Sequence, residues 1–100
     1  MSPKDIIKKV NEAIEEDPNK DFIQSISLFG SYLHENNQPD SDVDLLFETK
    51  ETMSLFQITA THRHLEKKLG RKVDFVEKDS LIPQLRNAII SSAKKIYERK

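Results

Sequence analysis

Two aspartates, Asp42 and Asp44, flank a valine in the run Ser41-Asp42-Val43-Asp44-Leu45-Leu46-Phe47-Glu48. In an extended chain, residues i and i+2 point to one face, roughly 6.5–7 Å apart. The pair therefore presents two carboxylates side by side. Like charges so placed repel, and one carboxyl holds its proton more tightly unless a cation sits between them. Hard oxygen donors in this arrangement suit Mg²⁺, which fills its remaining positions with water and substrate phosphate. A third carboxylate, Asp74, stands centrally in Lys72-Val73-Asp74-Phe75-Val76. If that segment pairs beside the first, Asp74 joins the cluster, and three carboxylates meet the needs of a two-metal site. Upstream, Gly30-Ser31 closes an apolar run. Glycine permits close backbone approach, exposed amides at a turn attract anions, and the Ser31 hydroxyl can donate to a phosphate oxygen. Taken singly, an acidic pair on a strand or a Gly-Ser turn is ordinary; the combination is what points to phosphate chemistry.

The elements that must position these residues can be read from periodicity. Ser2-Pro3 provides an N-cap and a proline at the first helical position, with Asp5 in the first turn. Ile6, Ile7, Val10, Ala13 and Ile14 follow at helical spacing until Asp17-Pro18-Asn19 stops the helix. Residues 22–29 predict a strand ended by Gly30, and Tyr32 to Ser41 is polar and turn-prone. Val43, Leu45 and Phe47 alternate with Asp42, Asp44, Leu46 and Glu48, the period of a strand. A helix is expected from about Thr52 to Leu69, with Leu55, Ile58, His62, Leu65 and Leu69 along one stripe and Gly70 as its cap. Residues 72–76 form a third strand. A last helix is expected from about Pro83 to the C-terminus, with Leu85, Ile89, Ala93 and Tyr97 as its apolar stripe. The order α-β-β-α-β-α describes an α/β (α+β) domain over residues 1–100, with a three-stranded mixed sheet flanked by helices.

Bulk composition narrows the function classes. The 100 residues are 36% hydrophobic and 33% charged, which fits a charged globular domain and not a disordered chain. Sixteen basic and 17 acidic residues give a net charge of −1, without the basic excess of a dedicated nucleic-acid binder. No cysteine is present, so disulfides and thiolate zinc sites are excluded. No apolar run approaches the roughly 20 residues that span a bilayer, and the first residues lack a signal-peptide layout. A cytoplasmic protein without membrane attachment is expected. His62 and His64 lie two apart on a helix, face different ways and make a poor metal pair; one is expected to pack and the other to be solvated. Lys67, Lys68, Arg71 and Lys72 form a basic cluster that reads first as a solvated face.

The composite Leu28-Phe29-Gly30-Ser31, ten residues, then Ser41-Asp42-Val43-Asp44-Leu45-Leu46-Phe47-Glu48 resembles the signature of the DNA polymerase beta-like nucleotidyltransferases. The likeness extends through Pro39-Asp40, through Leu69-Gly70-Arg71-Lys72-Val73-Asp74-Phe75-Val76, and into Asp79-Ser80-Leu81-Ile82-Pro83. It covers nearly the whole chain and is similar to the small branch of minimal nucleotidyltransferases (MNT). The resemblance implies that Gly30 and Ser31 bind a nucleotide's phosphates with Asp42 and Asp44. It further implies that Asp42 and Asp44 hold Mg²⁺, and that Asp74 is the third carboxylate, helping to deprotonate an acceptor hydroxyl. Two ions are expected, with Mn²⁺ as an alternative. Family members move a nucleoside monophosphate from a triphosphate to a hydroxyl and release pyrophosphate. Prokaryotic MNT proteins often act as antitoxins of HEPN-type ribonucleases, some by transferring AMP to a tyrosine of that partner. Where minimal members usually carry arginines and a second glycine, this chain has Tyr32, His34 and Glu35.

These features imply a Mg²⁺-dependent nucleotidyltransferase that uses ATP or another nucleoside triphosphate and modifies a protein, since 100 residues leave no room for a separate acceptor domain. The alternative is an antitoxin that occludes its partner with little or no transfer. The altered segment from Tyr32 to Glu35 keeps that reading open, and the three carboxylates speak against it. A third reading is a structural α/β domain with an incidental acidic cluster.

Overall fold

Ser2 caps the first helix as its spacing to Asp5 predicts. In the computed structural model, which describes residues 2–30 and 42–99, the Asp5 amide donates to Ser2 Oγ at 3.3 Å and the Ser2 amide to Asp5 Oδ2 at 3.2 Å. This reciprocal pair satisfies two donors that a helix start otherwise leaves open. Helix α1 runs over Pro3–Glu15 and buries Ile6, Val10, Ala13 and Ile14. A 3-10 turn, Lys20–Phe22, leads into strand β1, Ile23–Phe29. Strand β2 is Val43–Thr49, helix α2 Leu55–Leu69 and strand β3 Val73–Glu77.

Helix α2 begins later than the expected Thr52, because Ser54 and Gln57 form a second capping box. Its expected stripe is only partly buried: Leu65 and Leu69 face the core, joined by Thr61, which the stripe did not include, while Leu55 is 81% exposed. Gly70 ends the helix in the left-handed conformation, φ 67°, with its amide donating to the Glu66 carbonyl at 2.8 Å.

The C-terminal helix is shorter than its periodicity suggests. Helix α3 covers Pro83–Ser92, and Lys94–Glu98 form a strand, β4. The Ser92 hydroxyl donates back to the Ala88 and Ile89 carbonyls, 3.0 and 3.2 Å away. Such local bonding competes with helix continuation. Beyond it, β1 offers an edge that Lys94–Glu98 can pair with, and Tyr97 lies opposite Ile26. Pairing overrides a helix propensity that Lys94, Lys95 and Glu98 would otherwise favour.

The sheet is mixed and four-stranded, one strand more than expected, in the order β3-β2-β1-β4. β1 is antiparallel to β2 and β4, and β2 is parallel to β3. Helices α1 and α2 pack against each other, and one apolar core joins them to Ile26, Leu28, Val43, Leu45, Phe47 and Val73 of the sheet. Asn11 of α1 ties this layer to β4 by donating to the Ile96 carbonyl at 2.9 Å. Helix α3 buries none of its residues. Among the described residues, no helix is long and apolar enough to cross a membrane.

Candidate active site

The alternation along β2 sorts its side chains. Val43, Leu45 and Phe47 enter the core, which leaves Asp42, Asp44, Leu46 and Glu48 for the opposite face. Parallel pairing sets Asp44 directly beside Asp74, and Leu46 beside Val76. The expected meeting of β2 and β3 is therefore present, in the register that brings their aspartates together. Asp74 is exposed, Asp44 partly buried, and the two side chains share a hydrogen bond. Partial burial pushes the Asp44 carboxyl from its ordinary 3.8 up to about 6; the bond to Asp74 and the charges of Asp74 and Asp42 push the same way.

Asp42 precedes β2 and is half-buried. Among the described residues, no three acidic or histidine side chains are drawn together as a ready-made metal cage. The tight unit is the Asp44–Asp74 pair, with Asp42 at its side. This donor set still fits a magnesium ion, which commonly takes one or two carboxylates and draws its other ligands from water and phosphate. A carboxyl held near 6 by partial burial, and next by its bond to Asp74 and the nearby anions, is also a place where a cation relieves repulsion.

Gly30 completes the pair from the other side. Phe29 lies opposite Asp44 across β1 and β2, and Gly30 follows it with φ 77°. A Cβ on Gly30 would overlap the Asp44 carboxylate and come within 3.0 Å of its Cγ. Glycine is thus required here twice, by backbone conformation and by the room Asp44 needs. The sequence suggested glycine for approach to phosphate and gave no sign of the contact with Asp44. Ser31, Tyr32, His34, Glu35 and Pro39 to Ser41 lie outside the described residues.

The same face carries a feature with no motif to announce it. A cavity of about 230 Å³ lies between the sheet and α3, lined by Ser25, Ser27, Leu46, Glu48, Ile90 and Lys95, among others. Lys78 reaches Glu48 at its margin, 3.1 Å away.

The two histidines serve different neighbours. His64 Nδ1 lies 3.0 Å from Oδ2 of buried Asp17, whose other oxygen accepts from Thr61 Oγ1 at 3.2 Å and from the Asn19 amide at 2.7 Å. His62 contacts the Val73 carbonyl. The expectation that one histidine is merely solvated is not met, since both hold partners. Of the basic cluster, Lys68 pairs with Glu16 at 3.2 Å.

An acidic pair on the reverse face of a mixed sheet is backed by a glycine that ends the adjacent strand, and oxygen donors so placed have the chemistry to take a hard cation. Residues 8–100 match the family described as polymerase beta, nucleotidyltransferase, and the chain belongs to that family. It is a nucleotidyltransferase. The protein adenylyltransferase MntA of Thermococcus cleftensis is 41% identical over 59 residues, which cover 59% of this chain and 60% of that protein. A candidate minimal nucleotidyltransferase of known structure superposes with a TM-score of 0.79 at 26% identity, covering 93% of this chain and 94% of the other. The fold also matches a Shewanella oneidensis complex of a tri-AMPylated HEPN toxin with its MNT antitoxin. There the TM-score is 0.71 at 21% identity, over 96% of this chain and 72% of that one.

Proposed function

We propose that this chain transfers AMP from ATP to a hydroxyl on a partner protein, a tyrosine of a HEPN-type toxin, and so acts as an antitoxin. The observation that carries the reading is the register pairing of Asp44 with Asp74, on the open face of the sheet and against Gly30. The adenylyltransferase relative and the AMPylated toxin in the structural neighbour support both the transferred group and the partner. ATP is the proposed nucleotide, and the cytoplasm the proposed compartment.

Asp42 and Asp44 would hold Mg²⁺, as two ions with Asp74 as the third carboxylate; Mn²⁺ could replace them. When bound, the metal neutralises triphosphate charge and lowers the pKa of the attacking hydroxyl. Gly30, with no side chain, lets the backbone approach the phosphates, and Ser31 adds a hydroxyl donor. Asp74, the most exposed carboxylate of the pair, can take the proton of an incoming acceptor. The hydroxyl then attacks the α-phosphorus and pyrophosphate leaves. Positioning and charge neutralisation supply most of the rate.

The test uses ATP labelled at the α-phosphate, Mg²⁺ and the partner that co-purifies from the native host. The wild type should label the partner, EDTA should abolish labelling, and Asp42→Asn or Asp44→Asn should lower it by about 10²–10³-fold. Equal labelling by both variants would sink the metal assignment. Neutralisation of the partner without any transfer by the wild type would favour occlusion instead.

A further inference from the structure

Asp74 lies on β3, the edge strand of the sheet, so its placement beside Asp44 depends on how that edge is held. The Val43 amide donates to the Lys72 carbonyl at 2.9 Å, within the register that pairs Val43 with Val73. The backbone groups of Val73 itself are met from outside the sheet. Its amide donates to Glu66 Oε2 at 2.9 Å, and its carbonyl is in hydrogen-bond contact with His62 Nε2. His62 and Glu66 are one turn apart on α2, and their side chains lie 3.6 Å from each other. They fill the places that an adjacent strand would take.

Both neighbours of Asp74 are thereby fixed. The Val73 side chain is in the core, 1% exposed, while its backbone is gripped from α2. Phe75 stacks on Phe47 of β2 with ring centroids 4.0 Å apart, and the His62 ring lies 6.0 Å from Phe75. Among the described residues, Glu66 and His62 bond to the Val73 backbone and to none of the three aspartates, so their influence runs through one peptide unit. Neither residue belongs to the motif that marks the site.

We propose that His62 and Glu66 are positioning residues, clamping the Val73 backbone so that Asp74 stays in register beside Asp44. The inference rests on the transferase reading above. A displacement of about 1 Å at a reacting group can cost up to about 100-fold in rate. Loss of the clamp should therefore appear in turnover more than in nucleotide affinity.

The test compares Glu66→Ala with Glu66→Gln, which keeps an acceptor oxygen, and His62→Ala with His62→Gln, which keeps a donor near the Nε2 position. Each alanine variant should lower turnover in the α-labelled ATP assay by about 10- to 100-fold, with the KM for ATP within about threefold of wild type. Each glutamine variant should recover most of the loss. Amide exchange of the metal-free, nucleotide-free protein gives an independent reading: Val73 should exchange about tenfold or more faster in Glu66→Ala, while β1 amides stay unchanged. A double-mutant cycle decides whether the effect passes through Asp74. In an Asp74→Asn background, Glu66→Ala should cost little more, because the group it positions is already gone. A full additional loss in that background, or faster Val73 exchange with unchanged turnover, would overturn the proposal. If the wild type itself transfers nothing, the transferase reading falls and takes the positioning role with it. If wild type and both alanine variants transfer equally, only the positioning role falls.

Discussion

On β2, Val43, Leu45 and Phe47 are 0–1% exposed in the core, whereas Asp44, and Asp42 just before the strand, keep partial contact with water on the reverse face. The core face is electrostatically neutral and densely packed. The reverse face places Asp44 where burial and its neighbours Asp74 and Asp42 all resist its ionisation. The strand can carry that conflict because the packing on its other side does not depend on it. Stability and chemistry are thus separated by the two-residue period of a single strand, and substitutions one position apart should have opposite signatures.

Asp44→Asn and Leu45→Ala give the widest separation. The first should lose transfer by about 10²–10³-fold while the protein keeps its fold. The second should lose about 2–5 kcal/mol of stability, since it opens a cavity in a fully buried site, yet retain turnover per folded molecule. Urea denaturation and labelled-ATP assays on both variants check this. A Leu45→Ala protein that is as stable as wild type would remove the core face from the comparison.

The two glycines sharpen it next. Gly30 and Gly70 both have positive φ, 77° and 67°, so alanine at either site carries about 1–2 kcal/mol of backbone strain. Their surroundings differ. At Gly30 a Cβ would run into the Asp44 carboxylate, and at Gly70 it meets nothing within 4 Å. Both alanine variants should lose similar stability, but only Gly30→Ala should also lose transfer, by about tenfold or more as Asp44 is displaced. Equal activity in the two variants would show that the Gly30–Asp44 contact does not matter to the reaction.

Much of this was legible because strands and helices repeat. The two-residue alternation from Asp42 to Glu48 put both aspartates on one face, and the short Val73 segment was long enough to be read as their neighbour. The fourth strand was not legible in the same way. Lys94 to Glu98 has the composition of a helix as much as of a strand, and the free edge of β1, a tertiary feature, decided between them. The Gly30–Asp44 contact depends on the register of β1 against β2, which no spacing along the chain specifies. The His62 and Glu66 contacts escaped for a different reason: their partner is the backbone of Val73, and backbone groups carry no signature in a sequence.

The smallest effect follows from the sign of the Asp44 shift. Its carboxyl titrates near 6 in the folded protein against an ordinary 3.8. Well below pH 3.8 it is protonated in both folded and unfolded chains, and the site imposes no penalty. As pH rises toward 6 the unfolded chain ionises first, so stability is lost across that window and stays lost above it. Unscreened, the difference would be worth about 3 kcal/mol. The group is only partly buried, and solvent screening reduces the expected loss to about 1 kcal/mol. Asp44→Asn has no such carboxyl and can hydrogen-bond Asp74 without repulsion. In EDTA, urea midpoints should therefore show the variant gaining on the wild type between pH 4 and 6, and holding about 1 kcal/mol of advantage at pH 8. Added Mg²⁺ should narrow the gap, because a cation between the carboxylates favours their ionised forms. A gap independent of both pH and Mg²⁺ would mean that the conflict on the reverse face of β2 has no energetic weight, and that its aspartates are as ordinary as any surface pair.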